Sequence, residues 1–175
     1  VGRRGAQRIL VGSTSTRVVQ EAKIPVLVVR GDEGFSAWAA DGRPLRVMLG
    51  ADFSAATEAA VGWLERLAAA GPIEILAAQV VWPPELHGRY GFAHVPLGAE
   101  HLPPDAEATI EHELRARLRP LEGRAPIRCL VRPGLGQPAL PLLEIARRKQ
   151  VDLLVLGTHQ RRGLERLRHG SGSVG

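Results

Sequence analysis

Two stretches of this 175-residue chain put residue types together in a way that chemistry can use. The first is Ala51-Asp52-Phe53-Ser54, where a carboxylate follows the apolar run Leu45 to Ala51 and precedes a helical pattern. A carboxylate placed there can accept hydrogen bonds from a ribose hydroxyl or an adenine amine. Asp52 and Ser54 can equally cap the helix that follows, because the first turn of a helix carries amide protons without intrahelical acceptors. Residue type alone leaves both roles open. The second stretch is Gly157-Thr158-His159-Gln160, with Gly170-Ser171-Gly172-Ser173 beyond it. Small residues let backbone amides approach phosphate oxygens, and the hydroxyls of Ser171 and Ser173 add donors. A glycine-rich loop on its own is a weak signal.

Other reactive residues read as structural. His87, His94 and His101 recur every seven residues, but in a Pro/Gly-rich segment without a cysteine or paired carboxylate, which points to an exposed loop rather than a metal site. Cys129 lies inside an apolar run and reads as a small core residue. His169 beside Arg168 reads as solvated surface, and Glu111, Glu113, Arg115 and Arg117 as the polar face of a helix.

The elements that must position these residues follow from periodicity. Leu45–Ala51, Ile73–Val81, Ile127–Val131 and Val151–Leu156 are short aliphatic runs that predict buried strands. Ser54–Ala70, Asp105–Arg119 and Pro138–Lys149 predict helices between them; the segment from Trp82 to Pro104 predicts a long loop. Upstream, Ser13–Ala22 predicts a helix and Ile24–Arg30 a further strand. Residues 31–44 show no period and predict a linker. Strand and helix alternate, which argues a parallel, doubly wound α/β sheet with right-handed crossovers. Ligands of such sheets bind beyond the carboxyl ends of the strands, where strand order reverses. The segments Gly50–Ser54, Gln79–Val81 and Leu156–His159 end there.

Composition narrows the partners. The chain is 45% apolar and 23% charged, as in a globular domain, and only 4% aromatic, which calls for an aliphatic core. Net charge is +5, nearly all of it from arginine, since Lys23 and Lys149 are the only lysines. The basic residues are scattered and no basic run alternates with aromatics, so nucleic acid is not an expected partner. No apolar run is long enough to span a membrane. A single cysteine fits a reducing compartment, and the expected location is cytoplasmic.

An internal repeat is visible. Residues 3–15 and 161–173 share two arginines, a glycine, an arginine, a glycine and two serines in the same order. The chain is therefore expected to begin late in one repeat and to stop at the same place in the next. Residues 1–30 would be the last helix and strand of one domain, 31–44 a linker, and 45–175 a second domain without its last helix and strand.

These features resemble the universal stress protein family. Gly157-Thr158-His159-Gln160, nine residues, then Gly170-Ser171 is similar to its G-x-x-G-x9-G-[S/T] nucleotide loop. Ala51-Asp52-Phe53-Ser54 resembles its first-strand signature, and Asp152–Gly157 and Ile24–Arg30 its fourth and terminal strands. The whole chain looks like a piece of a tandem, two-domain member. The resemblance implies a flavodoxin-like fold of five parallel strands with helices on both faces, ATP as ligand with or without Mg2+, and a homodimer or pseudo-dimer through the Ile24–Arg30 strand. It also implies site residues. Ala51 and Asp52 would meet the ribose or adenine and Val80 the adenine. Gly157 and His159 would flank the triphosphate, held by Gly170, Ser171 and Ser173. Gly12 and Ser13, the first repeat's counterparts, would take that part if residues 13–30 complete the fold. No residue carries over as a nucleophile or general base, so at most slow ATP hydrolysis is implied. Gln160 stands where the loop has its second glycine, and a side chain there crowds phosphates. The alternative is thus a dimerising interaction module of the same fold that has lost ATP binding.

Overall fold

The computed structural model describes residue 22 and residues 25–28, 33–92, 95–96, 99–135 and 137–157. The chain divides into two units, residues 31–158 and residues 1–30 with 159–175. Every helix and strand described below belongs to the first.

Four aliphatic runs become the strands β1 (Leu45–Ala51), β2 (Ile73–Val81), β3 (Ile127–Pro133) and β4 (Leu153–Leu156) of one parallel sheet, ordered β3-β2-β1-β4. The parallel α/β architecture is the one expected, with four strands among the described residues in place of five. Residues 25–28, expected in a fifth, lie in no strand, and Val26, Leu27 and Val28 are exposed. A short extended run becomes a strand only when a neighbour completes its ladder.

Register is tight. Leu45 pairs with Ile73 and Ala51 with Gln79 on one side of β1, and Val47 with Leu153 and Gly50 with Leu156 on the other. Being central, β1 is buried on both faces. Val47 and Leu49 face the larger core with Ile75 and Ala77 of β2, whereas Met48 joins Ala78 and Leu142 in a smaller one. This explains why the strands read as continuous apolar runs rather than alternating ones.

Helices close both faces. Helix α1 (Glu33–Asp41) precedes β1, α2 (Ala55–Ala70) joins β1 to β2, and α3 (Pro83–Tyr90) and α4 (Pro104–Arg117) lie between β2 and β3. Helix α5 (Ala139–Arg148) leads back across the sheet to β4. Ala60, Val61 and Leu64 of α2 share the larger core with Ile110 and Leu114 of α4; Leu142 of α5 covers the smaller.

Two segments differ from expectation. Residues 31–44, predicted as a linker without structure, hold α1. Its few large apolar residues, Phe35 and Trp38, pack against the larger core. Trp38 lies so close to Gly71, the C-cap of α2, that a Cβ there would sit 2.7 Å from the indole. Asp152 secures the same region, accepting from Arg43 Nη2 at 3.0 Å and from the Arg46 amide at 2.9 Å. The predicted loop 82–104 holds α3. Prolines at its first positions lose no intrahelical bond, and Gly91, at φ 70°, closes its C-terminus by donating to His87 O.

Leu64 is fully buried where α2 meets the sheet. Leu64→Ala is expected to cost about 2–5 kcal/mol, read as a lower guanidinium midpoint at unchanged slope.

Candidate functional site

The chain steps outward from β1 to β2 and β3, then returns to place β4 on the other side of β1. Strand order therefore reverses between β1 and β4, and the crevice beyond their carboxyl ends is where this architecture takes ligands. Because Ala51 pairs with Gln79 and Gly50 with Leu156, Asp52 is level with Val80 and Gly157 with Ala51. Four of the expected site residues, Ala51, Asp52, Val80 and Gly157, thus share one end of three adjacent strands. His159, Gly170, Ser171, Ser173, Gly12 and Ser13 lie outside the described residues, as does Gln160.

Asp52 is exposed and braces the N-cap of α2, which is Ser54. Its Oδ1 accepts from the Ser54 amide at 3.1 Å, the Ser54 hydroxyl at 2.5 Å and the Thr57 hydroxyl at 2.8 Å. Thr57 Oγ1 in turn accepts from the Asp52 amide at 3.1 Å, and Ser54 Oγ accepts from the Thr57 amide at 3.4 Å. The capping role open in the sequence is therefore occupied.

Gly157 lies against the first turn of α2. A Cβ at this position would sit 2.7 Å from the carbonyl carbon and the Cβ of Ala56, closer than real Cβ contacts come. Its smallness is required by packing. Val80 is half-buried in the smaller core beside Met48 and Ala78. On the opposite face Gln79 is buried, and its Oε1 has no hydrogen-bond partner among the described residues.

Sequence reasoning missed a charged cluster beside Asp52. Phe53 has φ 60°, and its buried ring lies under the guanidinium carbons of Arg89, at 4.8 Å from the centroid, and Arg117, at 5.1 Å. Glu113 ties them, its Oε1 accepting from Arg89 Nη2 at 2.6 Å and Arg117 Nη2 at 3.4 Å, its Oε2 from the Tyr90 hydroxyl at 2.5 Å. Arg117 also bonds Glu58 of α2 at 3.1 Å. Burial would raise the Glu113 pKa, but the Tyr90 hydrogen bond and the two guanidiniums outweigh it and hold the carboxyl below its ordinary value. Burial first, then the bond to Glu113, pushes Tyr90 up to about 12. Nothing in the periodicity of α4 separates Glu113 and Arg117 from Glu111 and Arg115, which form an ordinary surface pair.

The remaining candidates stay structural. His87 and His101 are exposed, His87 Nδ1 lies 3.1 Å from Phe92 O, and His94 is outside the described residues. Among the described residues no group of His, Cys, Asp and Glu is arranged to hold a metal ion, and no helix is long and apolar enough to cross a membrane. Cys129 is half-buried in β3, and burial raises its thiol pKa.

Comparison with known proteins adds the lineage. The profile of the universal stress protein family matches residues 1–30 and 45–174. A universal stress protein of Mycolicibacterium smegmatis is 33% identical over 181 residues; the match takes in 98% of this chain and 54% of the relative, so the chain spans about half of that protein's length. Among solved structures, a universal stress protein in complex with cAMP is similar at 22% identity and TM-score 0.49, over 73% of this chain and 84% of that one. A universal stress family protein from Burkholderia pseudomallei is similar at 22% identity and TM-score 0.46, over 71% and 88%.

Gly157→Ala is expected to cost about 1–3 kcal/mol in stability, because the backbone of α2 is the atom group that must move. Tyr90 is the single tyrosine, so an ultraviolet titration reads it alone. Its phenolate is expected to form with a midpoint near 12, and Glu113→Gln should bring that midpoint down toward 10. Because the folded value is raised, this group's contribution is full below pH 10 and is lost as pH climbs through about 12. Glu113, being lowered, contributes in the opposite sense: its share is present above the ordinary carboxyl value and disappears as pH falls through the folded value.

Proposed function

The chain belongs to the universal stress protein family, and from that premise we propose that it is an adenine-nucleotide-binding regulatory module of the stress response that binds ATP without turning it over. The observation that carries this reading is that Asp52 and Gly157 each follow the carboxyl end of one of the two strands between which the order reverses, β1 and β4. Asp52 supplies a charged acceptor for the ribose or adenine, Ala51 the small strand end beside it, and Val80 an apolar contact for the base. Gly157 is the small residue on the phosphate side, and His159, Gly170, Ser171 and Ser173 are the residues this reading assigns to the phosphates. Gly12 and Ser13 replace the last three where the N-terminal segment completes the site. Mg2+, where present, arrives with the triphosphate.

The two stretches matched by the family profile, separated by residues 31–44, support the tandem organisation, with 1–30 ending one unit and 45–175 belonging to the next. The exposed run Val26-Leu27-Val28 supports self-association through the Ile24–Arg30 segment, because an apolar β-type run gains by pairing. A cytoplasmic location is part of the same proposal.

Gln160 favours a second reading, an interaction module of this fold that no longer takes ATP. Calorimetric titration of ATP into the folded protein separates the two. The first reading expects binding heat, tighter for Gln160→Gly. Asp52→Ala should weaken binding by about 10–100-fold, the worth of a charge-assisted hydrogen bond. No heat from either the native chain or Gln160→Gly ends the ATP reading in favour of the second.

A further inference from the structure

We propose that Phe53 is a positioning residue. Held between Arg89 and Arg117, it keeps the turn between β1 and α2 in the left-handed step that sets the Asp52 carboxylate for nucleotide. This rests on the nucleotide reading above and assigns to the charged cluster a part in that site.

A bulky residue at φ 60° is costly; glycine or asparagine is the usual occupant, and strain of this kind persists where the surroundings over-determine it. Here they do. The ring is buried, and both guanidinium carbons lie within the ~6 Å range of a cation–π contact. The two cations come from different helices, Arg89 from α3 and Arg117 from α4, so the ring is gripped by elements other than the one it leads into. Two guanidiniums over one ring repel each other, and Glu113 removes that repulsion by accepting from both. Tyr90 fixes the second oxygen of Glu113, and Glu58 ties Arg117 back to the first turn of α2.

The grip acts one residue from the carboxylate. Asp52 and Ser54 flank Phe53, and the bonds from the Ser54 amide and hydroxyl to Asp52 Oδ1 close around it. Without the ring the left-handed step loses its support, and the bonds from Ser54 and Thr57 that hold Asp52 Oδ1 loosen. Helix α3 also begins directly after Val81 and Trp82, so the same cluster joins the tip of β2, with Val80, to the tip of β1.

The test uses two variants with different weaknesses. Phe53→Leu keeps an apolar side chain but removes the ring, and the double change Arg89→Gln with Arg117→Gln keeps the ring but removes the cations. ATP binding is measured by calorimetry for each, in the native and in the Asp52→Ala background. The expected result is a loosening of about tenfold in the native background and none in Asp52→Ala, because the effect passes through Asp52. Unchanged affinity in the native background, or an equal loss in both backgrounds, overturns the proposal. A second readout needs no ligand: amide hydrogen exchange at Ser54 and Thr57 should speed up while Leu64, later in α2, keeps its protection. Unchanged exchange at those two amides, or acceleration of all three alike, also overturns it. Should the native protein bind no ATP, the nucleotide reading falls by itself, and the exchange result decides whether Phe53 positions Asp52. Should Phe53→Leu fail to fold, the double arginine variant gives the decision.

Discussion

The carboxyl end of the sheet depends on how closely the tip of β4 approaches the first turn of α2. Gly157 meets Ala56 at a distance that admits no Cβ, so the strand tip and the helix N-terminus form one continuous wall. Gly50, the β1 partner of Leu156, belongs to the same approach; a Cβ there would press on the Leu156 and Leu142 side chains. These are two glycines with different constraints. At Gly50 the obstacle is the flexible end of a leucine, whereas at Gly157 it is backbone. A larger residue at Gly157 would separate β4 from α2 and split the wall on which the site is built.

The opposite end of β4 is held just as firmly. Four residues make a short edge strand, and a slip by one would turn every side chain to the other face. Asp152 prevents that slip by locking register at the amino end: its amide donates to Arg46 O, its Oδ2 accepts from the Arg46 amide, and its Oδ1 accepts from Arg43. An exposed ion pair would contribute little, but two backbone groups of β1 are fixed by this one residue. The motif running from Asp152 to Gly157 is thus a strand with its two anchors, and the placement of Gly157 beside Ala51 follows from the anchor at Asp152.

Much of this was legible in the sequence, and what was not has physical causes. Strands β1 and β2 and helix α2 carry their own signals, an aliphatic run or an amphipathic repeat with Ser54 in front, and their bounds agree with those signals. Helix α1 does not, because Phe35 and Trp38 are its only large apolar anchors and its supports, Gly71 and Asp152, lie far along the chain. Helix α3 was hidden by its prolines, which break a helix in its interior yet suit its first turn. At the site, residue types identified Asp52 but could not choose between cap and ligand; the geometry shows it bracing the N-cap Ser54. The grip on Phe53 was invisible because its members are brought together from three helices. Glu113 is 24 positions from Arg89, and Arg117 is 59 from Glu58.

The division of labour at the site follows from electrostatics. The N-terminus of a helix carries partial positive charge and attracts anions, and at α2 the Asp52 carboxylate sits beside that end, bonded to the N-cap Ser54 and to the Thr57 hydroxyl. A polyphosphate directed at that end would meet a carboxylate and be repelled. In the proposed complex the phosphates are therefore turned away from Asp52, to the side of Gly157. What remains for Asp52 is the neutral, donor-bearing part of the ligand, a sugar hydroxyl or an amine, which a carboxylate binds well. The same charge that lets Asp52 brace the N-cap Ser54 thus decides which end of a nucleotide it takes in that proposal.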